Sequence, residues 1–208
     1  MSASKVFVAD AASTDGTPDI ARSFANVLDI EVIPGGLPSV GRNAGAHAAS
    51  TPLVLFLDAD MELRDRTLLR RAVTLLTERN LHLVTTNIWV RGGDVRDRIL
   101  YAGNNVFQAA SMLAMPFATG MFMLFDREVF LRLGGFDERA LYAEDYLLSK
   151  KVSPWRFGIV RGSALTTNRR FQKMGHATIV RMFLKTALNS FNKSYFQRDH
   201  GYWDTPRG

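Results

Sequence analysis

A short apolar run that ends in two carboxylates constrains the fold of this chain most. Residues 53–57 read Leu-Val-Leu-Phe-Leu, and Asp58 and Asp60 follow at once. Such a run predicts a buried strand that delivers both carboxylates to the edge of an α/β sheet where ligands bind. Two carboxylates so close repel each other unless a cation lies beside them. Because Mg²⁺ and Mn²⁺ take oxygen ligands and usually keep phosphate oxygens in their shell, the pair predicts a metal–diphosphate site.

The composition favours one globular domain with a sizeable core. The 208 residues are 47% hydrophobic and 22% charged, and there is no cysteine. The absence of cysteine excludes disulfides, zinc–thiolate sites and cysteine nucleophiles. A net charge of +6 fits a phosphorylated substrate, an anionic membrane surface or nucleic acid. Since aromatic and basic residues do not interleave, we predict no nucleic-acid partner.

Strands alternate with helices, which predicts an α/β fold with a mostly parallel central sheet flanked by helices. We expect strands at 6–9, 31–33, 53–57, 81–86, 118–125 and 157–160, with 53–57 as the central strand. Helices are expected after Thr17-Pro18, at 40–49, after Asp65, from Asp126 to Gly134 and at 178–196. The helix at 40–49 is lined with small residues, which would let it pack close to the sheet. The first helix places four apolar side chains on one face: Ile20, Phe24, Val27 and Leu28. The uncharged stretch 99–125 contains Asn, Gln, Pro and Gly, so we interpret it as buried loop, helix and strand rather than a membrane span.

Four sequence blocks, taken in order, resemble the motifs of family 2 glycosyltransferases, which have the GT-A fold. They are Val-Ala-Asp-Ala-Ala-Ser-Thr-Asp-Gly-Thr at 8–17, Gly-Arg-Asn-Ala-Gly at 41–45 with Phe-Leu-Asp-Ala-Asp at 56–60, Thr119-Gly120 with Phe-Leu-Arg-Leu-Gly-Gly-Phe-Asp-Glu at 130–138, and Glu144-Asp145. Each block alone is a weak signal, whereas their order and spacing over residues 6–151 are specific. The resemblance implies a nucleotide-diphospho-sugar transferase domain over residues 1–175, with a C-terminal amphipathic helix and tail over 176–208.

The resemblance also implies a donor site. Asp10 would accept a hydrogen bond from the nucleotide base, and Asp58 would contact the ribose or the metal. Asp60 would ligate a Mn²⁺ or Mg²⁺ ion that bridges the diphosphate. Arg42 would pair with a phosphate, and Arg170 would meet the diphosphate. Each also has a structural interpretation as a turn, a helix cap or a solvated loop residue, and His176 is a further candidate metal ligand.

For catalysis, the resemblance implies Asp145 as the general base that deprotonates an acceptor hydroxyl. Glu144 would hold the acceptor or raise the pKa of the base by like-charge repulsion. Thr119 and Gly120 would line the acceptor side. A single displacement with one base would invert the anomeric configuration. Read alone, Glu144 and Asp145 also fit the start of a helix, where acids suit the helix dipole.

One departure from the family pattern concerns the start of the chain. The family's first strand, with its Pro-x-x-Asn-Glu-like segment, has no counterpart before Val6. We therefore describe the transferase domain as N-terminally truncated and expect unpaired strand edges and an open base site. Three explanations stay open: a true start upstream, a segment supplied otherwise, or a degraded copy.

The sequence leaves the partners partly open. We expect a nucleotide-sugar donor and a saccharide or lipid-linked acceptor. The terminal helix is apolar and basic, so it can pack on the domain's own core, on a dimer partner or on an anionic membrane. No signal peptide is visible, which predicts a cytoplasmic protein or one at the inner face of the membrane.

Other functions share parts of these motifs. A haloacid-dehalogenase-like phosphatase also places Asp-x-Asp after a strand, but Glu62 occupies the position where its Thr or Val would stand. A nucleotidyltransferase would begin with a Gly-x-Gly-x-Arg segment, which is absent. The main alternative is a non-catalytic remnant that binds a nucleotide sugar or a partner.

Overall fold

The computed structural model describes residues 4–198 and 200–201. Its strands are β1 (Lys5–Asp10), β2 (Asp29–Pro34), β3 (Leu53–Leu57), β4 (Leu83–Val90), β5 (Phe122–Asp126) and β6 (Phe157–Thr166). Its helices are α1 (Thr17–Ser23), α2 (Pro38–Ala48), α3 (Leu68–Glu78), α4 (Val95–Ser111), α5 (Arg127–Arg132), α6 (Glu144–Ser149), α7 (Arg169–Met174), α8 (His176–Leu188) and α9 (Lys193–Phe196). The predicted α/β class is confirmed, and β3 has the predicted bounds.

The strands form two sheets rather than one. β1 and β2 pair in parallel, and the other four strands lie in the order β3-β5-β4-β6. In the larger sheet β5 is antiparallel to both neighbours, while β4 and β6 are parallel. The sheet is therefore mixed, and β3 lies at its edge instead of at its centre as expected.

The antiparallel direction of β5 follows from the connection before it. Helix α4 runs back along β4, because Asn105 bonds the backbone of Ile88 whereas Gln108 bonds Thr86. The ten residues 112–121 then return the chain to the edge where β4 ends, so β5 starts there. Its last residue, Asp126, lies beside His82 at the start of β4.

A cluster of phenylalanines holds α2 and α5 against the larger sheet. Phe56, Phe125, Phe130 and Phe136 are each at most 5% exposed, and their ring centroids lie 4.9–6.3 Å apart. Burying such rings is the main source of packing free energy in a core. Asp126 caps α5 by accepting the amide of Val129 at 2.9 Å, and Gly134, with φ of 81°, follows its end. This confirms the helix predicted from Asp126 to Gly134.

Helix α2 spans both sheets because small residues let it approach β1. A Cβ on Gly41 would lie 2.9 Å from Cβ of Ala9, too close for any larger residue. On its other side α2 contributes the fully buried Ala46 to the phenylalanine cluster around β3. The predicted small-residue helix is thus confirmed, and it connects two sheets that share no strand pairing.

The first β-α-β unit packs differently from the prediction. Among residues 4–38 none is buried. The four apolar residues predicted to share the inner face of the first helix are 44–68% exposed: Ile20, Phe24, Val27 and Leu28. Helix α1 ends at Ser23, so three of them lie beyond it. Unpaired strand edges were expected, and among the described strands β1 and β3 each lie at the edge of a sheet.

The C-terminal segment forms two helices where one was predicted. Helix α8 buries Ile179 and Thr186 against the domain, and α9 buries Phe196. The predicted tail lies outside the described residues at 199 and 202–208. Within the described part of the chain, no helix has the length and apolar character needed to cross a bilayer.

Candidate active site

Arg42 lies at the centre of the candidate site and joins segments from three parts of the chain. Its Nη2 donates to Oδ1 of Asp58 at 2.7 Å, and its Nη1 donates to Oε1 of Glu144 at 2.7 Å. Nη2 also reaches the carbonyl of Gly120 at 3.3 Å. The Arg42 side chain is 15% exposed, and its guanidinium lies 5.4 Å from the ring centroid of Phe136. Arg42 therefore pairs with two carboxylates, and its contact with a donor phosphate stays a prediction.

Asp145 is held by two backbone amides. Its Oδ2 accepts the amide of Gly120 at 2.6 Å, and its Oδ1 accepts that of Tyr146 at 2.7 Å. Ala143 precedes the pair in the left-handed conformation, with φ of 53°, and starts α6. A non-glycine residue in this conformation is strained, and such strain is common at functional sites. The turn directs Glu144 to Arg42 and Asp145 to Gly120.

Burial raises the pKa of both acids. For Glu144 the nearby Asp145 raises the pKa further, while Arg42 lowers it. For Asp145 burial outweighs the Gly120 amide, which lowers the pKa, and Asp58 adds to the increase. Burial lowers the pKa of Arg42, but Asp58 and Glu144 outweigh it and the net pKa is raised. Asp145 therefore holds a proton more readily than an ordinary aspartate does.

Asp58 and Asp60 diverge at the end of β3. Asp58 turns to Arg42, whereas Asp60 is exposed and, among the described residues, accepts only two long contacts of 3.5 Å, from the hydroxyls of Thr166 and Thr167. A cavity of about 260 Å³ lies beside Asp60 and is lined also by Glu62 and Arg91. A carboxylate with weak protein partners beside an open cavity fits the oxygen ligand of a hard divalent ion.

Two predicted donor residues lie outside the Arg42 network. Asp10 ends β1 and accepts the amide of Ser13 at 3.0 Å, the turn arrangement that was its structural alternative. Arg170 is exposed on α7. Burial raises the pKa of Tyr101, the charge of Arg170 lowers this pKa, and the charges of Asp60 and Asp97 raise it. Both residues face the ends of strands, and their donor roles stay predictions.

Gly120 could not be another residue without displacing Arg42. A Cβ at this position would lie 2.8 Å from Nη2 of Arg42. Its neighbour Thr119 is 8% exposed, and the Thr119 hydroxyl has no hydrogen-bond partner among the described residues. Gly120 thus lies directly against Arg42 and Asp145, with Thr119 next to it in the chain, and the acceptor role of both residues stays a prediction.

Sequence reasoning missed Asn43, which positions Arg42. Nδ2 of the Asn43 side chain donates to the backbone carbonyl of Phe136 at 3.0 Å, and Oδ1 of the same side chain accepts the backbone N–H of Phe136 at 3.0 Å. It also donates to Oε1 of Glu138 at 2.8 Å. A Cβ on Gly135 would lie 2.7 Å from Oδ1 of Asn43. An asparagine beside an arginine and a glycine pair elsewhere in the chain was the only signal available.

His176, the further candidate metal ligand, lies beside two acids that sequence reasoning missed. The ligand atoms of Asp94, Asp97 and His176 lie within 4.8 Å of one another. Asp94 and Asp97 form the capping box of α4, and Oδ1 of Asp97 lies 2.7 Å from Nε2 of His176. Oδ2 of Asp97 accepts the side chain of Asn168 at 3.0 Å. The group can hold a metal, but its oxygens are already used in capping α4 and joining it to α8.

The comparisons with known proteins decide the family. The family model described as glycosyl transferase family 2 matches residues 2–134, more than half of the chain. The chain belongs to glycosyl transferase family 2. The predicted family is therefore confirmed, together with its GT-A fold.

Named relatives agree with the family. The chain is 26% identical over 162 residues to an O-antigen chain rhamnosyltransferase of Salmonella anatum, covering 72% of this chain and 51% of that protein. It is similar in structure to a mannosyltransferase from Pyrobaculum calidifontis in complex with GDP-Man and Mn²⁺, with a TM-score of 0.66, 25% identity and coverage of 88% of this chain and 55% of that one. TarS of S. aureus in complex with UDP has a TM-score of 0.60 at 17% identity, covering 95% of this chain and 64% of that one, and supports the fold alone. This chain thus spans about half the length of the rhamnosyltransferase and of the mannosyltransferase.

Proposed function

We propose that the chain transfers a sugar from a nucleotide-diphosphate donor to an acceptor hydroxyl, with inversion and with the aid of a divalent metal. The observation that carries the proposal is the Arg42 network. It brings Asp58, Glu144 and the Gly120–Asp145 contact together from segments up to 102 residues apart in sequence. Membership of glycosyl transferase family 2 supports the reaction class.

Asp145 acts as the general base in this proposal. The carboxylate takes the proton of the acceptor hydroxyl as that oxygen attacks the anomeric carbon and the bond to the diphosphate breaks. The two backbone amides fix the direction of the carboxylate, and each of its oxygens keeps a lone pair for the proton. The raised pKa of Asp145 makes it a stronger base than an exposed aspartate.

The donor occupies the strand ends on the Asp60 side. Asp60, together with the oxygen of Asp58 that Arg42 leaves open, would hold a Mn²⁺ or Mg²⁺ ion. Bound there, the ion supplies positive charge to the departing diphosphate. Asp10 and Arg170 contact the base and the diphosphate. Arg42 keeps Asp58 and Glu144 in place, and Glu144 and Thr119-Gly120 hold the acceptor.

Metal-dependent nucleotide binding tests the donor side. Calorimetry with UDP and with GDP, with and without Mn²⁺, is expected to show binding that needs the metal and is lost in Asp60→Asn. Glu62→Gln is the matched control, since Glu62 lines the same cavity but pairs with Arg64 and Arg91. Binding that survives in Asp60→Asn would overturn the metal assignment.

Transfer tests the base. Asp145→Asn is expected to keep metal-dependent donor binding and to lose transfer or donor hydrolysis. If Asp145→Asn transfers sugar at the normal rate, the base is another residue. Donor binding without any turnover in the unaltered chain would instead support a non-catalytic nucleotide-sugar-binding protein.

We also propose that the C-terminal helices contact an anionic membrane, which suits a lipid-linked acceptor and a site at the inner membrane face. Four apolar side chains at and after α8 are 48–90% exposed: Phe183, Leu184, Leu188 and Phe191. Arg181 and Lys185 lie beside them. Such a surface binds anionic lipid through apolar insertion and charge. Flotation with anionic vesicles at low salt should carry the protein, and Leu184→Glu should abolish it; no flotation of the unaltered chain would overturn this proposal.

A further inference from the structure

A second cavity shares no lining residue with the cavity beside Asp60. It has a volume of about 680 Å³ and is bounded by α2, the loop before α6, and α9. Three of the chain's six lysines line it, namely Lys150, Lys151 and Lys193, and Arg139 lines it as well. We call it the basic cavity. Its size is within the usual range for small-molecule sites.

The three ammonium groups are not neutralised by nearby acids. Within residues 4–198 and 200–201, none of them lies at ion-pair distance from a carboxylate. Lys151 donates instead to the carbonyl of Leu133 at 2.9 Å, and Lys150 donates to that of Ser190. Carbonyl oxygens accept a hydrogen bond but carry no compensating net charge.

The two acids that line the cavity pair with residues other than the three lysines. Asp137 accepts both Nε and Nη2 of Arg139, at 3.1 and 3.3 Å, and its charge raises the pKa of Lys151 without forming an ion pair. Glu138 accepts the side-chain amide of Asn43 at 2.8 Å. The walls therefore keep an excess of positive charge.

The lysines repel one another. Burial lowers the pKa of Lys150, and Lys193 and Lys151 lower it further. Burial also lowers the pKa of Lys151, and Lys193 adds to this against Asp137. Residues 146–198 contain eleven Lys and Arg and no Asp or Glu, so the surrounding chain adds to this field rather than offsetting it.

We propose that the basic cavity binds a phosphate or diphosphate group, separately from the nucleotide donor. A phosphate carries close to two negative charges and three strong acceptor oxygens, which matches several convergent ammonium groups better than a carboxylate does. The group belongs either to a soluble phosphorylated compound or to a lipid headgroup. Lys150 also lies 5.9 Å from the ring centroid of Phe191, which is 90% exposed, so an apolar tail would have a surface beside the headgroup.

Inorganic pyrophosphate is the probe for this site, and the inference does not depend on sugar transfer. Calorimetry is done with EDTA present, because the metal-free strand ends carry Asp10, Asp58 and Asp60 and repel the probe there. The double variant Lys151→Gln/Lys193→Gln removes two cavity charges. The matched control, Arg79→Gln/Lys173→Gln, removes two exposed charges that do not line the cavity. Circular dichroism checks that both variants are folded.

The cavity variant should bind pyrophosphate at least about tenfold more weakly than the unaltered chain, whereas the control should stay within about twofold. Equal weakening in both variants would show a general charge effect and overturn the proposal, as would no binding to the unaltered chain. Flotation with phosphatidylcholine vesicles that contain phosphatidic acid distinguishes the two sources. Flotation reduced more by the cavity variant than by the control supports a lipid headgroup, and pyrophosphate binding without such a difference supports a soluble ligand.

Discussion

Replacing Arg42 with methionine tests whether the buried acids depend on one guanidinium. Glu144 has a side chain only 8% exposed and pairs with Arg42 at 2.7 Å. Removing one partner of a buried pair typically costs about 3–5 kcal/mol. The pair with Asp58, whose side chain is 36% exposed, adds at most about 1 kcal/mol. A typical domain has a total stability of only about 5–15 kcal/mol, so Arg42→Met should be clearly destabilised.

The cost should depend on pH, because Glu144 can accept a proton instead of staying charged. At a pH above its ordinary pKa of 4.5, Glu144 is protonated at a cost of about 1.4 kcal/mol per pH unit. This cost is about 4 kcal/mol near pH 7.5 and about 1.4 kcal/mol near pH 5.5. The folded variant then binds more protons than the unfolded chain, so its stability falls as pH rises above 4.5. The unaltered protein should lose stability in the same direction but less, because Arg42 lowers the pKa of Glu144.

Urea unfolding followed by tryptophan fluorescence at the two pH values measures this difference. Arg64→Met is the control, since Arg64 is 64% exposed in its pair with Glu62 and should cost under about 1 kcal/mol. The double variant Arg42→Met/Glu144→Gln should recover much of the loss near pH 7.5. The reasoning is refuted if Arg42→Met loses the same free energy at both pH values, or if the double variant is no more stable than Arg42→Met.

Three further substitutions probe the backbone around the site. Gly120→Ala places a Cβ against Arg42 and should cost about 1–3 kcal/mol in urea unfolding while weakening nucleotide binding; unchanged binding would contradict the close approach. Asn43→Ala leaves the backbone N–H and carbonyl of the buried Phe136 without their partners and should lower the free energy of unfolding by at least about 2 kcal/mol. A loss below about 0.5 kcal/mol would mean that water replaces the side chain. Ala143→Gly relieves about 1–2 kcal/mol of left-handed strain against about 0.5–1 kcal/mol of added chain entropy, so its stability should stay within about 1 kcal/mol of the unaltered chain. Ala102→Gly inside α4 should instead cost about 1 kcal/mol, and an equal loss in both would remove the case for strain at Ala143.

Local patterns predicted local structure well. The bounds of β3, the cap at Asp126 and the small-residue face of α2 all depend on neighbours in sequence, and the structure confirms them. Helix α4 was described only loosely, because the uncharged stretch 99–125 has no clear amphipathic period. The capping box at Asp94 and Asp97, which marks the start of this helix, is a sequence signal that the sequence analysis did not use.

Long-range pairing could not be predicted from the same patterns. The antiparallel direction of β5 depends on how residues 112–121 return to the sheet, and nothing local encodes that path. The Arg42–Glu144 contact joins residues 102 apart. The resemblance placed both residues in one site, but only the folded arrangement shows that the guanidinium pairs with Asp58 and Glu144.

The first β-α-β unit has a further consequence for affinity. Residues 4–38 contain no buried residue, and parts of a protein with so little core open at low free energy and exchange amide hydrogens early. Asp10 ends a strand of this unit, whereas Asp58 ends a strand of the other sheet. In the proposed donor site, a nucleotide held between them would order one sheet against the other, and part of its binding free energy would be used for that ordering. Slowed amide exchange in β1 and β2 on nucleotide binding would therefore measure how much of the donor's affinity is used to assemble its own site.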